Sequence, residues 1–220
     1  MKNLFCFVLC ITSAVLFAQE KWSIKLAKNY QKTLNKQYAN SRESPLAEKD
    51  LKEFKGLDFY PIEQKYAVEA TFIKAVNEQS FKMKTTGTRT PDYIKYGELH
   101  FTLDQTNYKL NVYQNIDLIK KAGFEDYLFL PFSDLTCGKE SYIGGRYIDI
   151  RIPKDTTVVI DFNKAYNPYC AYNHKYSCPI VPLENDLDVA ILAGVKKFHD
   201  WCNISISTPT SLLIILALRN

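Results

Sequence analysis

From Lys65 onward the hydrophobic residues recur with a period of two, and that rhythm confines the chain to β-strands. Leu99, Phe101 and Leu103 alternate with Glu98, His100 and Thr102, and Tyr108, Leu110 and Val112 alternate with Lys109, Asn111 and Tyr113. Successive side chains of a strand point to opposite faces, so each run has one apolar and one polar side. Asp104 to Asn107 separates the two runs and reads as a hairpin turn. Tyr66, Val68, Ala70, Phe72 and Ala75 or Val76 mark another strand, and Phe81-Lys82-Met83-Lys84 alternates as well. Tyr127 to Phe132 is apolar enough to be buried on both faces, with Pro131 near its end. Tyr147 to Ile152, Thr157 to Phe162 and Leu187 to Leu192 bring the count to about eight strands, which points to an antiparallel β-sandwich or partly open barrel.

Two helices are expected ahead of the strands. Ile24, Ala27, Tyr30, Leu34 and Tyr38 are spaced by three or four, which predicts an amphipathic helix over Trp22 to Tyr38. Ser44-Pro45 before Leu46, Leu51 and Phe54 predicts a second helix. Ser44 would accept from the first-turn amides, Pro45 would take the first helical position, and Gly56 would end the helix. The fold class is therefore mainly β (α+β), with two N-terminal helices beside the β structure. The fifteen tyrosines and thirteen phenylalanines agree with a β-rich chain.

The chain opens on the short basic stretch Met1-Lys2-Asn3, followed by an almost wholly apolar run from Leu4 to Phe17. A bilayer-spanning helix needs roughly 20 apolar residues. The run is shorter, and Ala18-Gln19-Glu20 breaks it. This is the layout of a secretory signal peptide over residues 1–19, cleaved near Ala18 or Gln19, and it implies a periplasmic or extracellular protein. Residues 20–60 then form a helical lead-in and residues 61–199 a β-rich domain. Residues 200–220 form an atypical tail with Cys202, the glycosylation pattern Asn203-Ile204-Ser205 and the apolar run Leu212 to Leu218. Cys6 and Cys10 would leave with the signal, so Cys137, Cys170, Cys178 and Cys202 remain. Cys170 and Cys178 are closest in sequence. In an oxidising compartment they are the candidate disulfide, worth about 2.5 kcal/mol on the chain-entropy argument.

The formal charge is +4, yet the lysines are scattered, with doublets only at Lys120-Lys121 and Lys196-Lys197. A nucleic-acid binder concentrates its basic residues on one face, so no nucleic-acid partner is expected. The seven residues between Cys170 and Cys178 exceed the usual separation of zinc-ligand pairs, and no metal is assigned. Gly144-Gly145 lacks the spacing and the following helix of a nucleotide loop, and no cofactor is assigned.

One ordered string of motifs carries a resemblance. It comprises Phe129-Leu130-Pro131-Phe132-Ser133-Asp134, Gly144-Gly145-Arg146-Tyr147, Asp161-Phe162-Asn163-Lys164-Ala165-Tyr166-Asn167-Pro168, Cys170-Ala171-Tyr172, and Cys178-Pro179 ahead of Glu184-Asn185. In these motifs the chain resembles the DUF1684 family, bacterial proteins of unknown function, from about Arg42 and Ser44-Pro45-Leu46 to about Lys197. The resemblance implies a single domain and supplies no activity. Members of the family often carry a glutamate where Val195 stands and a basic residue where Asp186 stands.

The candidate site is the same dense region. Asp161-Phe162-Asn163 follows the apolar run Val158-Val159-Ile160, so a strand ends by projecting a carboxylate and an amide. Arg146 suits a carboxylate or phosphate partner. The candidate ligand-binding residues are Arg146, Tyr147, Asp161, Asn163, Tyr166, Asn167, Tyr172, Glu184 and Asn185. The competing reading is an Arg–Asp structural pair with asparagines closing turns. Tyr142, Tyr147, Tyr166, Tyr169, Tyr172 and Tyr176 would supply a flat apolar platform with polar tips. The first function suggested is a binding or accessory module for a small polar ligand, a saccharide or envelope component. The alternative is a hydrolase-like enzyme using Asp161 or Glu184 with Cys170. A flavin-binding split barrel follows from β-rich architecture alone, which is a weak warrant.

Overall fold

In the computed structural model, residues 22–199 of the 220-residue chain are described. The expected signal peptide over 1–19, with Cys6 and Cys10, lies outside them, as does the tail of 200–220 with Cys202 and Asn203. Two helices, α1 (Ile24–Ala39) and α2 (Glu48–Glu53), precede seven strands: β1 (Ala67–Lys74), β2 (Phe81–Lys82), β3 (Asp92–Leu103), β4 (Thr106–Asn115), β5 (Tyr127–Phe132), β6 (Arg146–Arg151) and β7 (Thr157–Asp161). The strands form one sheet in the order β6-β5-β4-β3-β1-β7, with β2 added beside β3, and every pairing is antiparallel. After β7 the chain turns back to the far edge. The Tyr147 amide donates to the Tyr166 carbonyl at 2.9 Å, and the Tyr166 amide donates to the Tyr147 carbonyl at 3.0 Å. This single bridge joins the two ends of the sheet and makes it a partly open barrel.

The alternation seen in sequence becomes an inside and an outside. Leu99, Leu110, Val112, Leu128, Leu130, Phe132 and Ile160 are fully buried in the barrel interior. The other face of β5 is covered too, because Phe129 packs with Tyr93, Tyr113, Tyr147 and Met83. The β3–β4 hairpin turns through Asp104 and Gln105, both at positive φ (47° and 65°), with Leu103 paired to Thr106. Two consecutive left-handed residues match the right-handed twist of the flanking strands. Gly97 follows a register shift in β3; a Cβ there would lie 2.6 Å from the Phe72 ring and 2.7 Å from the Ile73 carbonyl. Glycine is what allows β1 to approach so closely.

Helix α1 is capped by Ser23, whose hydroxyl accepts from the Leu26 amide. It is tied to the barrel by the Trp22 indole donating to Asp161 at 2.9 Å and by Gln31 donating to the Asn163 carbonyl at 3.2 Å. Helix α2 starts later than Ser44 suggested. Ser44 accepts instead from the Leu46 amide, closing a turn before the helix.

The expected strand over Leu187 to Leu192 is not formed. Its alternation is real: Leu187, Ile191 and Ala193 are buried in the interior. Its backbone meets a neighbour only briefly, the Leu187 amide donating to the Ser133 carbonyl at 2.8 Å and the Leu135 amide to the Val189 carbonyl at 3.1 Å, and beyond Val189 a side chain holds it. Arg146, wholly buried, donates to the Ile191 carbonyl at 2.9 Å, to the Ala193 carbonyl, and to Asp134 Oδ2 at 2.7 Å. Asp134 Oδ1 in turn accepts from the Thr136 amide at 2.8 Å and the Ile191 amide at 3.3 Å. The guanidinium is further enclosed by the Phe132 and Tyr60 rings. Gly145 sets up this placement with φ of 84°; a Cβ there would lie 2.6 Å from the Phe132 carbonyl oxygen.

Arg146→Met should lower the unfolding free energy by about 3–5 kcal/mol, because Asp134 and two carbonyls lose their partner in the interior. Urea denaturation measures it, and a midpoint equal to the parent's would show that the pair contributes little. Gln105→Gly should raise stability by about 0.5–1 kcal/mol by removing left-handed strain at a turn position, read as an increase in Tm. An unchanged or lower Tm would refute the strain argument.

Candidate functional site

Helix α1 and the outer face of β5 and β6 do not close on each other completely. Between them lies a cavity of about 430 Å³. Tyr30, Thr33, Leu34, Gln37 and Tyr38 line it from α1; the last four follow Tyr30 by three, four, seven and eight residues and so share one helical face. The barrel contributes Tyr93, Tyr127, Phe129, Tyr147 and Asp149. Tyr147 and Asp149 are two apart on β6 and share its outer face, while Arg146 and Ile148 face inward. The returning chain adds Tyr166, Pro168 and Tyr169, and the loop beyond adds Cys178 and Pro179.

Asp149 is the charged centre of this wall. Its Oδ1 accepts the Tyr127 hydroxyl at 2.7 Å and the Tyr166 hydroxyl at 2.6 Å. The carboxylate itself is exposed, and Oδ2 takes part in neither bond. Burial, and next the Asp149 charge, push the hydroxyls of Tyr30, Tyr127 and Tyr166 well above the ordinary tyrosine range. These phenols remain neutral donors at physiological pH. The rings meet edge to face: Phe129 and Tyr147 at 4.7 Å, Tyr147 and Tyr166 at 5.9 Å. The Tyr147 hydroxyl is spent on the Pro179 carbonyl, which fixes the loop over the cavity.

Of the nine residues proposed from sequence, Tyr147 and Tyr166 line this cavity and the other seven do not. Arg146 is the interior staple, paired with Asp134 and not with Asp161. Asp161 is buried, accepts from Trp22 and from the Asn163 amide and side chain, and lies 3.6 Å from Lys164 Nζ. Asn163 exchanges hydrogen bonds with the Glu63 backbone, each of 3.0 Å, and pins the entry to β1. Asn167 donates to the Lys196 carbonyl at 2.8 Å. Asn185 is buried and ties β4 to β5 through the Asn111 and Pro131 carbonyls. Tyr172 is buried edge-on to Tyr38, 5.0 Å between ring centres. Glu184 is exposed beside the Tyr113 hydroxyl at 3.4 Å. Asp161, Glu184 and Cys170 thus sit in three separate hydrogen-bond groups.

The expected disulfide is also replaced. Cys170 and Cys178 are free thiols. The Cys178 sulfur accepts the Cys170 amide at 3.2 Å, and the Tyr142 hydroxyl lies 3.7 Å from the Cys170 sulfur, so each thiol is held by hydrogen bonds where a covalent bond was expected. The hydrogen bond from the Cys178 thiol lowers the Cys170 thiol to about 7, and the same bond, with burial, raises Cys178.

Asp149 was missed by the sequence reading. The available signal was its spacing: two residues from Tyr147 on an alternating strand, it must share that tyrosine's face.

Comparison with known proteins places the chain. Residues 52–196 match the profile described as "Protein of unknown function (DUF1684)". The chain belongs to the DUF1684 family. A similar solved structure is the solution NMR structure of the uncharacterized protein from gene locus rrnAC0354 of Haloarcula marismortui. It is 31% identical, with a TM-score of 0.64, covering 81% of this chain and 95% of that one. No curated protein matches. The DUF1684 description carries no activity, so the site must be read from its own chemistry. Among the described residues, no group of three or more His, Cys, Asp or Glu side chains could hold a metal, and no helix is long and apolar enough to cross a membrane.

Both thiols are buried, so iodoacetamide should label the native protein slowly across the neutral pH range, with Cys170, the thiol lowered by its neighbour, labelling ahead of Cys178. Peptide-level mass spectrometry after timed labelling measures both. Equal rates at the two cysteines across the range would overturn the assignment.

Proposed function

We propose that this DUF1684 domain is a binding module that holds a small polar organic ligand in the cavity between α1 and the β5–β6 face. One observation carries the reading: a ligand-sized cavity walled by tyrosine rings contains a single exposed carboxylate, and one oxygen of it is already fixed by two phenols. The volume of about 430 Å³ falls in the range of small-molecule sites. Apolar rings with a few placed polar groups are the usual make-up of such sites, the rings giving contact area and Asp149 giving orientation. Gln37 and Thr33 add neutral polar contacts on the helical wall.

Paired-carboxyl hydrolysis is disfavoured, because a second carboxyl group opposite the first is needed. Among the described residues lining the cavity, Asp149 is the one acid. Export is part of the proposal and is supported by the basic start and the apolar run from Leu4 to Phe17. In that setting an envelope component, including a saccharide fragment, is the natural source of the ligand.

The test is a ligand screen by two-dimensional NMR with parallel calorimetry, using small polar metabolites and saccharide fragments. Saturable shifts should centre on Tyr30, Tyr147, Asp149 and Tyr166. Tyr30→Ala should weaken binding by about tenfold, the loss of one ring contact of about 1.4 kcal/mol. Thr33→Trp should block the cavity while the protein keeps its barrel spectrum. Hits that ignore both variants, or a screen with none, would reject the cavity as the binding site.

A further inference from the structure

The ligand's charge can be read from what surrounds Asp149, on the footing that the cavity is the binding site. Among the described residues, no lysine, arginine or histidine lines the cavity. The two groups that hold Oδ1 are neutral phenols, so the carboxylate is oriented without being neutralised. Its uncompensated field is felt across the wall: Tyr30, Tyr127 and Tyr166 each become harder to ionise, first through burial and next through Asp149. The faces of aromatic rings are also electron-rich and attract cations. An anion entering here would meet the carboxylate, with no cation on the wall to offset it. A neutral ligand would draw no ion-pair contact from the carboxylate. The chain as a whole carries +4, so the attraction for a cation is local to this cavity and does not come from the overall charge.

We infer that the cavity recognises an organic cation, a protonated or quaternary amine whose charged head lies against Asp149 and whose apolar body rests on the Tyr147 and Tyr166 rings. The amine makes a charge-assisted contact with the free Oδ2, and the rings replace part of its hydration shell. Tyr127 and Tyr166 act as positioning residues, since they aim the carboxylate through Oδ1.

The probes are choline and its neutral isostere, in which carbon replaces the ammonium nitrogen, titrated into the whole mature protein and followed by NMR and calorimetry. Choline should bind with shifts at Asp149 and Tyr166, and the isostere should bind at least about tenfold more weakly. Added salt should weaken choline binding and leave the isostere unchanged. Asp149→Asn keeps an acceptor oxygen for the two tyrosines, and it should reduce choline to the level of the isostere. Asp149→Glu retains the charge and should keep the salt dependence. Equal binding of choline and isostere at these residues, or choline binding untouched by Asp149→Asn, would overturn the cation assignment and leave the cavity standing as a site for neutral ligands. Choline failing to bind while a neutral saccharide shifts the same residues would do likewise. Shifts from every probe confined to other surfaces would reject the cation assignment and the cavity together.

Discussion

The buried ion pair of Arg146 and Asp134 organises this molecule. Neither side chain has any exposure, and their contact at 2.7 Å is only part of what they do. Arg146 also holds the carbonyls of Ile191 and Ala193, while Asp134 holds the amides of Thr136 and Ile191. Together they hold the segment beyond the backbone contacts that Leu187 and Val189 make with Ser133 and Leu135. A buried charge pair is a poor source of raw stability, since desolvation offsets most of the attraction. Here it supplies partners to the backbone polar groups of Ile191 and Ala193, which are buried in the interior.

The same strand carries the staple and the site. On β6, Arg146, Ile148 and Ile150 point inward, and Tyr147 and Asp149 point outward beneath α1. Register is therefore shared between structure and function. A one-residue slip would put Arg146 under the helix and Asp149 into the hydrocarbon interior. The bridge from Tyr147 to Tyr166 is the second shared element. It joins the ends of the sheet, and it also delivers the Tyr166 hydroxyl to Asp149. Helix α1 is tied to the barrel by Trp22 and Gln31, which reach Asp161 and Asn163, and packs through Tyr38 against Tyr169 and Tyr172.

Much of the fold was legible because alternation is a local property. The strands at β1, β3, β4, β5, β6 and β7, the turn at Asp104 and the helical face of α1 all follow from spacing alone. The segment at Leu187 shows the limit of that logic. Its side chains obey the strand period, but its backbone meets Ser133 and Leu135 too briefly to form a ladder, and spacing says nothing about how long a neighbour runs alongside. The motif-rich stretch from Tyr142 to Asn185 shows the limit for function. Its asparagines, Asp161 and Arg146 turned out to satisfy backbone groups at turns and junctions, as Asn163 does for Glu63 and Asn185 does for Asn111 and Pro131. Dense polar motifs mark places where irregular backbone is buried, as well as places where ligands bind.

The residues by themselves determined the strand and helix periods, an antiparallel architecture that was either a sandwich or a partly open barrel, and the resemblance to the DUF1684 family, because side-chain alternation and ordered motifs are written along the chain. Tertiary structure alone decided that Arg146 would meet Asp134, that Cys170 and Cys178 would lie side by side as thiols, and that Asp149 would face a tyrosine-lined cavity. Those outcomes depend on which distant segments share a face once the sheet curls and α1 lies across it, and contacts between residues far apart in the chain leave no periodic trace within it.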